Sequence, residues 1–193
     1  SFGADTNAST TFSRTEYTLN LPDVGDETVD YALFLMREVA DKMLIEPEAV
    51  DRERGIVKAE EARRQSPGQK MSKAFSKYVQ PGSLANDRPV AGTPETLDAI
   101  NAEDLRAFYA AYYRPERAFL TLVGDIDIGE IEAKFETVFG DWASATDNPS
   151  DPEYGIEITD GLTAQVYDDD ELTTSVTLYR ADRPTKQGDT TAY

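Results

Sequence analysis

The sequence predicts an α+β fold, and three observations carry the prediction. Strand-like stretches open the chain and recur at 118–123, 163–167 and 173–179. Helix-period stretches fill most of 26–113 with no strand between them. No turn-by-turn βαβα alternation appears, which argues against a doubly wound sheet. With 193 residues, 39% of them hydrophobic, the chain is long enough to bury a real core.

Taken in order, the opening 7–21 is rich in Thr and Ser, and Glu16-Tyr17-Thr18-Leu19-Asn20-Leu21 alternates polar with larger side chains, as one or two strands stopping at Pro22 would. Asp26 is placed to cap a helix reaching about Met43, because Val29, Leu33, Met36, Val39 or Ala40, and Met43 recur at three- and four-residue steps. Pro47 suits the first turn of a second helix that ends before Pro67-Gly68. The stretch 66–92 is broken by repeated Pro and Gly, with a short helix expected at 70–78. Thr93-Pro94-Glu95 opens a brief helical turn. Asn101 followed by Asp104 has capping-box spacing for a helix ending near Tyr113, before Pro115. Ala118-Phe119-Leu120-Thr121-Leu122-Val123 reads as the clearest buried strand. Asp127 with Glu130 starts another helix, whose apolar stripe is Ile128, Ile131, Phe135 and Val138. A Pro-, Asp- and Ser-rich internal linker covers 144–153, and the strands at 163–167 and 173–179 follow.

The segment with the most chemical content is Asp51-Arg52-Glu53-Arg54-Gly55-Ile56-Val57-Lys58-Ala59-Glu60-Glu61. Seven helical steps bring Glu53 and Glu60 to one face, about 10 Å apart along the axis. Val50 and Val57 share that side, so the face is expected to pack inward, where a carboxylate needs a cation, a proton or a donor. The alternative is a solvated helix on which both acids pair with Arg52, Arg54, Arg63 or Arg64.

Composition narrows the chemistry. The chain has no histidine and no cysteine, which removes Ser-His and Cys-His catalysis, thiolate chemistry and ordinary zinc ligation by its own side chains. A net charge of −18 repels phosphate backbones, so nucleic acid is not an expected partner. No apolar run reaches the ~20 residues of a membrane span. Between Phe135 and Tyr179 there are eleven acids and no Lys or Arg. That run reads as a solvated acidic surface rather than a calcium site, its spacing matching no EF-hand loop. Trp142 and the Tyr109, Tyr112, Tyr113 cluster read as packing residues rather than a binding box.

Four stretches in this order together resemble the pitrilysin/insulinase family of zinc metallopeptidases. They are Asn7-Ala8 followed by Thr15-Glu16-Tyr17; Glu53 through Glu61; Gly92-Thr93-Pro94-Glu95-Thr96-Leu97 through Leu105, Phe108-Tyr109 and Tyr112-Tyr113-Arg114-Pro115; and Val123-Gly124-Asp125-Ile126-Asp127 with Phe139-Gly140-Asp141-Trp142. The resemblance implies an α/β sandwich, with helices packed on one face of a mostly antiparallel sheet. It implies Glu60 as a zinc ligand, Glu53 as a carboxylate supporting catalysis, and Asn7 and Ala8 as the edge strand to which peptide substrate pairs. The family's His-x-x-Glu-His would lie roughly 75–80 residues before Glu60, beyond Ser1. The expectation is therefore a single truncated domain over 1–193, drawn from a parent that uses zinc to cleave peptides or unfolded protein segments, with no zinc held by this chain alone. The alternative is a non-catalytic subunit or peptide-binding scaffold beside a second family domain or subunit. Exported relatives suggest the periplasm.

Overall fold

The computed structural model describes residues 5–63, 66–153, 155, 157 and 161–180. The chain divides into two compact units. The first holds 1–56 and 94–151, the second 57–93 and 152–193.

The first unit opens with an antiparallel hairpin of β1 (Asp5–Thr10) and β2 (Thr15–Asn20), in which Asn7 faces Thr18 and Ala8 faces Tyr17. Its turn is closed by Thr11, whose N–H donates to the Arg14 carbonyl and whose hydroxyl accepts from the amides of Ser13 and Arg14. Helix α1 (Asp26–Asp41) begins one residue off the expected cap. Gly25 is the N-cap, and Asp26 lies inside the first turn, where its charge meets the positive end of the helix dipole. Val29, Ala32 and Leu33 of α1 are buried, and α1 packs on α7 (Ile128–Phe139), as the apolar stripes of both predict. Asp127 caps α7 by accepting from the Glu130 amide. Helix α5 (Pro94–Ala99) is the turn expected after Thr93, and α6 (Ala102–Tyr112) carries a complete Asn101/Asp104 capping box.

Two nearly buried arginines hold this unit together. Arg37, 6% exposed, forks onto Asp41, donates to the Val138 carbonyl, meets Asp141 at 3.0 Å and lies over the Trp142 ring. Arg114, 3% exposed, donates to Glu116 and to the carbonyls of Ala111 and Thr146. Arg117, in the 3-10 turn Pro115–Arg117, binds Asn148, Asp151 and the Pro149 carbonyl. The stretch expected as a linker is thus fastened to the end of α6 over 144–151.

The second unit contains the last turns of α2 (Pro47–Arg63), then α3 (Pro67–Val79) and α4 (Leu84–Asp87). Ser66 caps α3 at its proline start, three residues earlier than the sequence suggests. Asn86 of α4 donates to the carbonyls of Ser76 and Gln80, tying α4 to the end of α3. Gly82, at φ 73°, approaches Gly155 so closely that a Cβ there would sit 2.8 Å from the Gly155 carbonyl oxygen, which only glycine allows.

The α+β composition holds, with helices dominating. Three expected strands do not form: among the described residues the hairpin is the only ladder. The stretch 118–123 has no regular structure and is not buried, with Phe119 98% and Val123 90% exposed. The stretches 163–167 and 173–179 likewise form no strand and join no ladder. Their β-branched, alternating side chains favour an extended backbone, yet a strand exists only when a neighbour accepts its hydrogen bonds.

Candidate functional site

Helix α2 brings Glu53 and Glu60 to one face, as their spacing requires, but that face is not packed inward. No residue of α2 is buried, and both carboxylates are exposed. Val50 and Val57 are only half-buried, too little cover to draw the acids beside them out of water. Glu53 meets Arg52 at 3.5 Å, with both side chains more than half exposed. Such a pair contributes at most about 1 kcal/mol.

Arg54 behaves differently, and sequence reasoning missed it. Its guanidinium meets Asp51 one turn back and donates to the Ile100 carbonyl, both at 2.6 Å. The Asp51/Arg54 spacing was a usable signal for the first contact. The second joins positions 46 residues apart and has no local signature.

The strand residues are also placed. Asn7 and Ala8 lie mid-way along β1, both exposed, and the Asn7 side-chain oxygen accepts from the Ala8 amide at 2.9 Å. Among the described residues β1 has a partner on one side only. An extended segment can join a strand whose second side is open. The hairpin is anchored through Tyr17, whose hydroxyl bonds that of Tyr113 at 2.7 Å. Burial, followed by this hydrogen bond, pushes the Tyr17 phenol far above its ordinary range. Tyr109 stacks on Tyr113 and donates to the Val39 carbonyl, and its phenol is raised chiefly by burial. The tyrosine cluster therefore packs, as the sequence suggests.

A catalytic zinc takes about three protein ligands and a water. Among the described residues no three His, Cys, Asp or Glu converge in a metal-binding arrangement, and the whole chain lacks histidine. What α2 offers is one or two accessible carboxylates on a helix face.

The fold matches one class of protein. A family profile described as "Peptidase M16 inactive domain" matches residues 99–191. A probable zinc protease, PqqL, of Haemophilus influenzae is 33% identical over 130 residues, covering 67% of this chain and 14% of the relative. An uncharacterized zinc protease of Streptomyces coelicolor is 31% identical over 139 residues, covering 69% of this chain and 29% of the relative. Among solved structures, the first half of the periplasmic protease PqqL from Escherichia coli superposes with a TM-score of 0.73 at 24% identity, over 81% of this chain and 33% of that one. A ferredoxin protease mutant in complex with Arabidopsis ferredoxin gives a TM-score of 0.71 at 24% identity, over 78% of this chain and 17% of that one. The chain belongs to the pitrilysin/insulinase (M16) family of zinc metallopeptidases. It spans 14% and 29% of these two zinc proteases, and its sequence contains no His-x-x-Glu-His.

Proposed function

We propose that this chain is part of a zinc metalloendopeptidase that cleaves peptides or unfolded protein segments, and that it supplies two elements of the working enzyme. Glu60 is one carboxylate ligand of a zinc whose histidine ligands come from outside this sequence. Glu53, one helical repeat earlier, supports catalysis at that centre. Asn7 and Ala8 on β1 are the edge to which substrate backbone adds. Family membership is the observation that carries the reading. The accessible Glu53/Glu60 face supports it, because a ligand to a metal assembled from several segments must be reachable from outside its own helix. The sandwich architecture, a single domain over 1–193 with 144–153 as its internal linker, and a periplasmic location all belong to this proposal.

One observation favours a second reading. The matching family profile is described as an inactive domain, as would suit a non-catalytic subunit or peptide-binding scaffold paired with a second family domain or subunit. Reading the coding sequence before Ser1 separates the two. The protease reading expects a His-x-x-Glu-His about 75–80 residues before Glu60. A coding sequence that lacks it leaves Glu60 without co-ligands and assigns the chain to a non-catalytic subunit.

A further inference from the structure

The outward edge of β1 is closed at one point by its own side chain. Just past the last ladder pair, the Thr11 amide donates to the Arg14 carbonyl, so Thr11 and Arg14 face each other as a hydrogen-bonded pair. Bonded and non-bonded pairs alternate along an antiparallel ladder. Counting back from that pair, Ser9–Glu16, Asn7–Thr18 and Asp5–Asn20 are bonded pairs, and Thr10–Thr15, Ala8–Tyr17 and Thr6–Leu19 are not. The backbone N–H and C=O groups of Thr6, Ala8 and Thr10 therefore point away from β2, toward the side of β1 that has no partner among the described residues.

One of these outward donors is already taken. The Asn7 side-chain oxygen accepts from the Ala8 N–H at 2.9 Å, whereas among the described residues no side chain caps the amides of Thr6 and Thr10. An amide open to water gains little stability when a side-chain acceptor replaces a water. What changes is availability, because the carbonyl of an added strand finds the central donor of the edge occupied. Asn7 is exposed, so its side chain can turn away at the cost of that bond. We infer that Asn7 is a gate on the edge. Its side-chain oxygen stands where an added strand brings a peptide carbonyl to the Ala8 amide, and it swings out when the strand pairs. This role rests on the reading of β1 as the substrate edge and deepens it, making Asn7 a competitor of the substrate backbone rather than a contact that attracts it. The ligand chemistry it answers to is main-chain, so an extended peptide with uncharged side chains is enough to displace it. In the free chain the cap blunts an edge that is otherwise open to unwanted pairing.

The experiment uses the 193-residue chain and a short, end-blocked, uncharged peptide alternating serine with valine, with amide exchange and shifts read by NMR. In the free chain the Ala8 amide should exchange more slowly than those of Thr6 and Thr10, and Asn7→Ala should bring it level with them. The peptide should slow exchange at Thr6, Ala8 and Thr10. It should bind Asn7→Ala about two- to tenfold more tightly than wild type, the worth of one exposed hydrogen bond. Asn7→Val should tighten binding as well. Ala lowers strand propensity and Val raises it, so a gain in both variants comes from the lost cap. Asn7→Asp, whose carboxylate is the stronger acceptor, should bind the same uncharged peptide more weakly than wild type. A fully N-methylated peptide, unable to donate to the edge, should leave all of these amides unprotected. If the peptide protects β1 but binds Asn7→Ala and Asn7→Val no better than wild type, the gate is wrong while the substrate edge stands. If it protects none of the outward amides in any variant, the substrate edge itself fails and the gate falls with it.

Discussion

Two regions of the molecule handle charge in opposite ways. Arg37 and Arg114 are almost completely buried, and each is surrounded by acceptors: Asp41, Asp141 and the Val138 carbonyl for one, Glu116 and the Ala111 and Thr146 carbonyls for the other. Glu53 and Glu60, the residues with a chemical assignment, stay in water on a helix that buries nothing. A charge can leave water when its hydrogen-bonding capacity is met on arrival. The arginines satisfy that condition within the first unit. The α2 carboxylates stay exposed to water, Glu53 beside Arg52, so their charge is solvated rather than satisfied by burial.

The comparison can be broken most sharply at Arg37. Replacing Arg37 with Ala leaves the Val138 carbonyl without its donor and Asp41, whose side chain is a quarter exposed, without its fork, and should cost about 1–3 kcal/mol. A urea midpoint that barely moves would show that this burial is not structural. The same network gives an internal control. Asp141 is 85% exposed in its side chain, so Asp141→Ala should cost under about 1 kcal/mol.

Tyr17→Phe is the next largest. It removes the hydroxyl bond to Tyr113 that fastens the hairpin and should cost about 1 kcal/mol in denaturant unfolding. Exchange of the β1 and β2 amides should rise with it. Because the Tyr17 phenol is raised, its contribution is present below the ordinary tyrosine value near 10 and is lost as pH climbs through the higher folded value. An alkaline titration should show wild type losing stability above pH ~10 more steeply than Tyr17→Phe.

At the far end, Glu53→Ala and Glu60→Ala should each shift stability by no more than about 0.5 kcal/mol, since both are exposed on a helix surface. Large destabilisation by either would contradict the contrast between the two regions. Glu116 sits between the extremes. It is half-exposed, yet its carboxyl is pulled down to about 2, first by the Ser144 hydroxyl and then by backbone and Arg114 hydrogen bonds. Its contribution is complete above the unfolded value of 4.5 and disappears as pH falls toward 2. Ser144→Ala should raise the Glu116 value in a carboxyl-resolved NMR titration.

The sequence announced local features well and distant ones poorly. The Asn101/Asp104 box, the Asp127 cap and the stripes of α1 and α7 depend on residues three or four apart, and all are present. The shared face of Glu53 and Glu60 follows from helix geometry alone. Whether that face is covered does not, because cover comes from other segments, and the inward expectation failed there. The apolar run 118–123 suggested a strand, but a strand needs a pairing neighbour that its own sequence does not reveal, and none pairs with it among the described residues. Arg37 reaching Val138 and Arg117 reaching Asp151 span 101 and 34 residues. Only the residue types hinted at them: arginines at helix ends, beside Trp142 and an acidic segment.

Glu60 is proposed as a zinc-ligand position whose co-ligands lie outside this sequence, so the 193-residue chain alone should hold no zinc tightly. The most direct test is equilibrium dialysis of the 193-residue chain against zinc, followed by chelator-free buffer, for wild type and Glu60→Gln. The account predicts that both retain far less than one equivalent and are indistinguishable, because one exposed carboxylate cannot replace three ligands. One equivalent retained by wild type and lost in Glu60→Gln would contradict it.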